Sequence, residues 1–529
     1  MNQIRAILCA ASLLAAAATA PAAEPATRPA VPGPYLNLQG DAFAQSPRFK
    51  GGPDGRVVVT PYFYWYDATE GRTEHIRNGD GSDALTTHPP TLEGLSYRSV
   101  AWHKRQLADM IEAGIDVVLP VYWGTPADRT PPKPMYWSFE GLPPLARARE
   151  ELLAEGRKPP AIGLFYDTST LQINAAHTRQ DLTTPAGRRW FYETIRDFFS
   201  LIPPRHWALL DDKPIVFLYA AAFAKAYDQA AIDELYASFA KDFGGKKPFL
   251  VREVSWNVQA DAVYAWGGAL GYKAPGTVAG IGPGYDHSAV PGRLPLKAGR
   301  EDGAFYSRNW YRVLRDPKPI VFIETWNEFH EATDIAASRE YGRQYIELTR
   351  KFVDAYKSGK LPPRPKGPYD DAASVRAVLG KQPKFDGLHL CEVDDGKYEP
   401  AAAAGREGVR IAANPHGGHY LYFRLHDSFK WKPLDAATVE VDYFDAPAAK
   451  DKAPVRLEYD GMDPAGPHGG VYTPSADVLH PVGTETWCTA SFRLKRPAFL
   501  SRQNGLADFR LHLAGPVGAV LIGEVRVKR

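Results

Sequence analysis

At 529 residues the chain exceeds what one ordinary hydrophobic core organises, so two or three domains are expected. Its 44% hydrophobic and 23% charged residues are the composition of a folded soluble protein. A net charge of +2, with no long Lys/Arg run, leaves no electrostatic footprint for nucleic acid or an anionic membrane surface.

The N-terminus, MNQIRAILCAASLLAAAATAPAAEP, places Arg5 before a run of small residues and Leu, then Ala-x-Ala sites near Ala20 to Ala23. That is the layout of a secretory signal peptide over residues 1–23, and it predicts a secreted or periplasmic protein. Leu8 before Cys9 is too bulky for lipoprotein processing, and no other segment reaches the roughly 18 apolar residues of a membrane span. Residues 24–55 read as a Pro/Ala-rich leader.

From Val57 short apolar runs alternate with amphipathic segments. The expected strands are RVVVTPYFYWYD, IDVVLPVYW, AIGLFYD, PIVFLYA, PFLVREVSW, DAVYAWGG, TVAGIGPGYDH and PIVFIETWNE. Near-continuous apolar runs fit parallel strands covered on both faces. Between them SYRSVAWHKRQLADMIEAG is expected to start at a Ser96 cap and stop at Gly114. GRRWFYETIRDFFS, AAIDELYASFAKDFG and SREYGRQYIELTRKFVDAY read as further helices. Eight such strands over about 300 residues favour a (β/α)₈ TIM barrel over residues 56–357 rather than an open doubly wound sheet. No GxGxxG or GxxxxGK[ST] follows an early strand.

The strand ends share one chemistry, aromatic residues beside acids. In such a barrel they converge on one face, which predicts a cleft ringed by Trp65, Asp67, Trp123, Asp167, Glu253, Trp256, Trp266, Tyr285 and Asp286. Aromatic side chains, at 12% of the chain, suit sugar rings as well as cores. His103 and His287 read as structural, as a lone histidine generally does.

SGKLPPRPKGPYDD opens a linker over residues 358–384. Residues 385–529 hold short alternating segments such as HYLYFRL and ATVEVDYF, the pattern of an antiparallel β-sandwich or jelly roll. Of its cysteines, Cys391 and Cys488 leave a disulfide and two free thiols as equal alternatives. No cofactor is expected, and no ligand loop supports calcium at Asp394, Asp395 or Asp508.

The densest chemistry is ETWNEFHEATD, Glu324 to Asp334. Cleaving a glycosidic bond takes two carboxyl groups, one donating a proton and one acting as base or nucleophile. Glu328 and Glu331, three apart, share one side of the chain if it turns helically after the strand. Trp326, Asn327 and His330 would wall and orient them. A helix start with acids at its dipole would also account for Glu331 and Asp334. It accounts poorly for Glu324, which lies within the apolar run, where a charge is costly unless paired.

WNEFHEATDI resembles the signature of glycoside hydrolase family 99 and its bacterial relatives, close to FNEWHEGTQI. PGYD (Pro283 to Asp286) and the early YFYWYD resemble that family too. The resemblance implies a (β/α)₈ barrel and endo-acting, retaining cleavage of α-mannosides, in which the substrate's 2-hydroxyl attacks the anomeric carbon. By position it implies Glu328 as the base assisting that hydroxyl and Glu331 as general acid/base. Phe329 stands for the family's Trp, Ala332 for Gly and Asp334 for Gln, and Glu324 has no counterpart. The C-terminal region resembles jelly-roll modules of carbohydrate-active enzymes, which implies sugar binding or a brace.

The leading expectation is a secreted glycoside hydrolase acting on an oligo- or polysaccharide. The alternatives are a non-catalytic carbohydrate-binding barrel and a glycan lyase or transferase on the same scaffold. Sugar identity, linkage, endo or exo action and oligomeric state are not encoded legibly.

Overall fold

The computed structural model describes residues 29–125, 135–172, 178–293, 296–364, 366–414, 417–431, 434–450, 454–463, 466–468, 470–513 and 519–529. The expected signal peptide lies outside the described residues. The chain divides into two units between Leu361 and Pro362.

The N-terminal unit is α/β. Its central strands are β1 (Val57–Tyr62), β2 (Val117–Tyr122), β3 (Leu164–Tyr166), β4 (Lys213–Leu218), β5 (Phe249–Glu253), β6 (Ala262–Tyr264), β7 (Val278–Ile281) and β8 (Ile320–Ile323). They form one parallel ladder in the order β6, β5, β4, β3, β2, β1, β8, β7. The two strands at its ends, β6 and β7, are consecutive in sequence. Gly280 on β7 lies so near the Ala265 carbonyl that an added Cβ would sit 3.3 Å from it. Val58, Val59, Val118, Leu119, Val216, Phe217, Val321 and Phe322 are fully buried, as continuous apolar strands require.

Six longer helices accompany the ladder: α1 (Val100–Ala113), α2 (Leu142–Ala154), α3 (Pro185–Ser200), α4 (Gln229–Asp242), α5 (Ala304–Arg315) and α6 (Gln344–Ser358). The cap of α1 is Ser99, not Ser96: its hydroxyl accepts from the Trp102 amide at 3.2 Å. Ser96 instead takes the Arg98 amide one turn earlier, at 3.2 Å. Gly114 ends α1 at φ 82, a left-handed position natural to glycine.

Part of the expected leader is built into this unit. Gly33 donates to the Ser200 hydroxyl at 2.7 Å, and Arg48–Phe49 pairs with Leu209–Leu210. The expected linker is shorter than 358–384, because Ser374–Val378 is already a strand of the C-terminal unit. Its alternation puts Val375 and Ala377 into that unit's core.

The C-terminal unit is β-rich, with two antiparallel sheets of seven and five strands. Val439, Val441, Val525 and Val527 from one sheet share a core with Leu421, Phe423, Leu457 and Leu511 from the other. Cys391 and Cys488 are free thiols, so no disulfide joins them. They lie on different sheets, and strand alternation sends Leu388 and Leu390 into the core and Cys391 to the opposite face. Burial pushes the Cys391 thiol up to about 11.

Replacing Ser99 by Ala leaves an orphan amide at the start of α1. The variant should lose about 1 kcal/mol in the unfolding of the N-terminal unit, read by urea titration of helical circular dichroism.

Candidate active site

The chain leaving β8 does not become a helix; Asn327 to Ala332 run through turns. Groups from the end of β1 take the backbone partners that a helix would have used. The Asn327 side chain grips the Phe63 backbone twice, accepting from its amide at 2.9 Å and donating to its carbonyl at 2.8 Å. The Tyr66 hydroxyl donates to the Asn327 carbonyl and accepts from the Phe329 amide, both at 3.1 Å. The Thr325 hydroxyl accepts from the Glu328 amide at 2.9 Å. Ala332 then turns through φ +47, a left-handed conformation that costs an alanine about 1 kcal/mol and a glycine almost nothing.

These turns present Glu328 and Glu331 with different neighbours. Glu328 is buried, and its Oε1 lies 2.7 Å from His330 Nδ1 while accepting the His330 amide at 3.0 Å. His330 Nε2 sits 2.9 Å from the His75 carbonyl. A carbonyl only accepts, so Nε2 carries a hydrogen and Nδ1 faces the carboxyl. Burial raises the Glu328 carboxyl above its usual range, opposed by His330 and reinforced by Glu331. Glu331 pairs with Arg293, whose Nη1 donates to it at 2.5 Å. Asp286 donates its amide to the Glu331 carbonyl at 2.9 Å.

An aromatic wall stands beside the pair. Trp65 stacks on His75 with centroids 4.6 Å apart and meets Trp123 at 5.7 Å, Trp137 at 5.7 Å and His330 at 5.4 Å. Burial and then His330 push the His75 imidazole down to about 3, so it is neutral. Trp123 donates its indole N–H to Asp167 at 2.7 Å, and burial raises the Asp167 carboxyl despite that bond. Trp266 packs on Tyr219 at 5.2 Å and Phe165 at 5.5 Å. Tyr285 sits 2.9 Å from His287 Nδ1, and Asp286 pairs with Lys297 at 2.7 Å. Glu253 is buried and accepts from Ser255.

Four of the residues expected at the site have their side chains packed and bonded within the protein. Trp256 is fully buried and donates to the Tyr219 carbonyl at 2.5 Å. Trp326 is fully buried and reaches Gln106 of α1 at 2.7 Å, away from the strand ends. Asp67 is fully buried among Thr69, Arg72 and Arg98, the last at 2.6 Å. Asn327, fully buried, holds backbone and presents nothing to a ligand.

Glu324 has a structural answer. Its carboxyl accepts from the Gly267 amide at 3.0 Å and the Ala269 amide at 3.4 Å, tying the end of β8 to the loop after β6. Burial pushes it up to about 8, against the lowering by those amides. Asp508, weighed as a calcium ligand, is neutralised by Lys430 at 2.7 Å, and Asp395 accepts from Tyr422 at 3.0 Å. Among the described residues no cluster of three or more His, Cys, Asp or Glu is placed to hold a metal ion.

The family described as "Domain of unknown function (DUF5010)" matches residues 66–374, more than half of the chain. The chain belongs to the DUF5010 family. The match spans the site from Tyr66 onward and leaves out Phe63 and Trp65 at the end of β1. No curated protein matches the chain. Among solved structures, a glycoside hydrolase family 99 endo-α-mannosidase from Bacteroides thetaiotaomicron is 16% identical, with a TM-score of 0.43, covering 58% of this chain and 98% of that one. A glycoside hydrolase-like protein is 15% identical, with a TM-score of 0.41 and coverages of 59% and 98%. A carbohydrate-binding module specific for non-crystalline cellulose is 15% identical, with a TM-score of 0.18 and coverages of 32% and 96%. At these scores the likenesses fix neither a substrate nor a residue's role. In this DUF5010 chain the sequence reading missed Arg293, His75, Tyr66, Trp137 and Tyr219. Tyr66 stood within YFYWYD, but Arg293 lies in a loop with no pattern that sets it apart.

Two consequences are measurable. Glu324 unfolded titrates near 4.5 and folded near 8, so between those values the native state keeps a proton that the unfolded state has released. Stability should therefore fall as pH rises through that window, and Glu324→Gln should remove this part of the slope in urea midpoints taken at several pH values. Ala332→Gly should raise stability by about 1 kcal/mol in thermal unfolding, because the backbone turn favours glycine.

Proposed function

We propose that this protein is a glycoside hydrolase acting on an oligo- or polysaccharide, with Glu328 and Glu331 as its carboxyl pair. One observation carries the reading. Two neighbouring carboxyls at the end of β8 are set apart chemically, one against an imidazole and the other against a guanidinium. Two carboxyls forced into different environments are what glycosidic cleavage uses. Trp65, Trp123 and Trp266 supply apolar faces of the kind that sugar rings stack on. The family 99 resemblance adds retention of configuration through the substrate's 2-hydroxyl.

The scaffold proposed for this chemistry is a (β/α)₈ barrel closed where β6 meets β7, followed by a jelly-roll module. For the module, the outer face of its five-stranded sheet does not support glycan stacking on two of its aromatic rings. There the Arg510 guanidinium already covers Tyr420 at 3.9 Å and Tyr472 at 4.2 Å. The proposed setting is outside the cytoplasm, from the signal-peptide pattern of residues 1–23.

A glycan panel read for new reducing ends tests the activity. Glu328→Gln and Glu331→Gln should each lower turnover by about 10²-fold or more, with circular dichroism unchanged. Full turnover in both variants would remove the assignment.

A further inference from the structure

Glu331 and Arg293 are carried by different loops, and such a pair keeps its geometry only if one loop is fixed against the other. We propose that the segment over residues 76–88 does this, and that Thr86 is a positioning residue for turnover, acting through the Glu331–Arg293 pair. This rests on the hydrolase reading.

The stretch SDALTTHPP, residues 82–90, lies beyond β1 and belongs to no strand or helix, yet it is pinned at both ends. At its start Ala84 and Leu85 are buried, and the Ala84 amide donates to the Ile76 carbonyl at 3.1 Å. At its far end Glu340 accepts from the His88 amide at 2.9 Å and lies 2.7 Å from His88 Nδ1. The His88 carbonyl accepts from the Arg339 amide at 2.9 Å. Between these anchors the stretch lies along the turn after β8. The Phe329 carbonyl accepts from the Thr86 amide at 2.9 Å and the Thr87 amide at 3.1 Å, and the Thr87 hydroxyl donates to Asp334 at 2.5 Å.

The Thr86 hydroxyl differs from these bonds because it meets two loops at once. It donates to the carbonyl of His330, the residue before Glu331, at 2.7 Å. It accepts from the amide of Ala289, in the loop that carries Arg293, at 3.3 Å. A hydroxyl joins a carbonyl to an amide because one atom serves as donor and acceptor. Asn78 of the same segment holds Ala289 from its other side, donating to the Ala289 carbonyl at 3.1 Å. The Asp286 amide already meets the Glu331 carbonyl at 2.9 Å, and Ala289 lies between that bond and Arg293. The loop is therefore fixed to the turn at two successive points, directly at Asp286 and through Thr86 at Ala289.

The second point is the one nearer Arg293, so it sets where the guanidinium stands when it donates to Glu331. Valine at position 86 has the shape of threonine and neither of its hydrogen-bonding functions. It keeps the backbone amide that meets Phe329, and the anchors at Ile76 and Glu340 do not involve the Thr86 side chain. The loss then falls on the join between the two loops, while the segment itself stays in place. Displacing a group near the reacting atoms by a fraction of an ångström costs rate more than binding.

Two readouts on the full-length protein test this. Hydrogen exchange of the Arg293 guanidinium is followed by nitrogen-15 NMR, its signal assigned by its loss in Arg293→Lys. Thr86→Val should speed that exchange about tenfold, the effect of one lost hydrogen bond on a local opening. Arg149, bonded to the Pro160 carbonyl in the same unit, should exchange as before, and Thr86→Ser should keep the wild-type rate at Arg293. On the panel's most responsive glycan, Thr86→Val should lower kcat about tenfold with KM changed by less than about twofold, and Thr86→Ser should restore kcat. Should the valine variant fail to fold by circular dichroism, Thr86→Ala carries the same expectations. Exchange at Arg293 that stays at the wild-type rate, or that rises equally at Arg149, overturns the proposal. So does an unchanged kcat, or a serine variant that behaves like valine. A panel with no responsive glycan counts against the hydrolase reading instead, and the exchange rates still decide whether Thr86 holds Arg293 in place.

Discussion

The site depends on one buried amide. Asn327 grips the backbone of Phe63 with both its donor and its acceptor, and it does so where no water reaches. Breaking such a clamp would leave several polar groups buried without partners, each costing about 1–3 kcal/mol. That constraint explains why the chain beyond β8 turns instead of coiling into a helix. It also ties β8 to the continuation of β1, its partner in the parallel ladder. Glu328 and Glu331 therefore project from a segment whose backbone is already satisfied, and their side chains are free to answer to other neighbours.

Those neighbours arrive from separate parts of the chain. His75 and Trp65 come from the segment after β1, Trp123 from the end of β2, Asp167 from the end of β3, and Arg293 from the loop after β7. The segments after β1, β2, β3 and β7 thus meet the end of β8, so the site depends on the order in which the ladder sets these strands side by side. Glu324 adds to this by holding the loop after β6 against β8. It stabilises the frame, and its buried carboxyl needs no catalytic role to account for it.

Much of the frame was legible in the sequence. The eight apolar runs became the eight parallel strands, since a strand covered on both faces has no polar alternation to disguise it. The aromatic strand ends were legible as a group but not one by one. Trp65, Trp123 and Trp266 belong to the wall, whereas Trp256 and Trp326 are packed inward against Tyr219 and Gln106. Direction after a strand ends is set by local turns, which the residue types do not announce. The conformation at Glu328 was open for the same reason: a helical turn was one local option, and the bonds to Phe63 and Tyr66 select another. The substitution of Ala332 for glycine was visible as a departure, and only the backbone angle gives it meaning. Arg293 could not have been found, because its importance comes wholly from where its loop folds.

The central claim is that the strand-end carboxyls add water across a glycosidic bond. It is tested most directly by turning over the panel's most responsive glycan in water enriched in oxygen-18 and weighing the released reducing end. The account predicts one heavy oxygen at each new anomeric centre. Release of an unsaturated product without the label, or transfer to another sugar without it, would contradict the account.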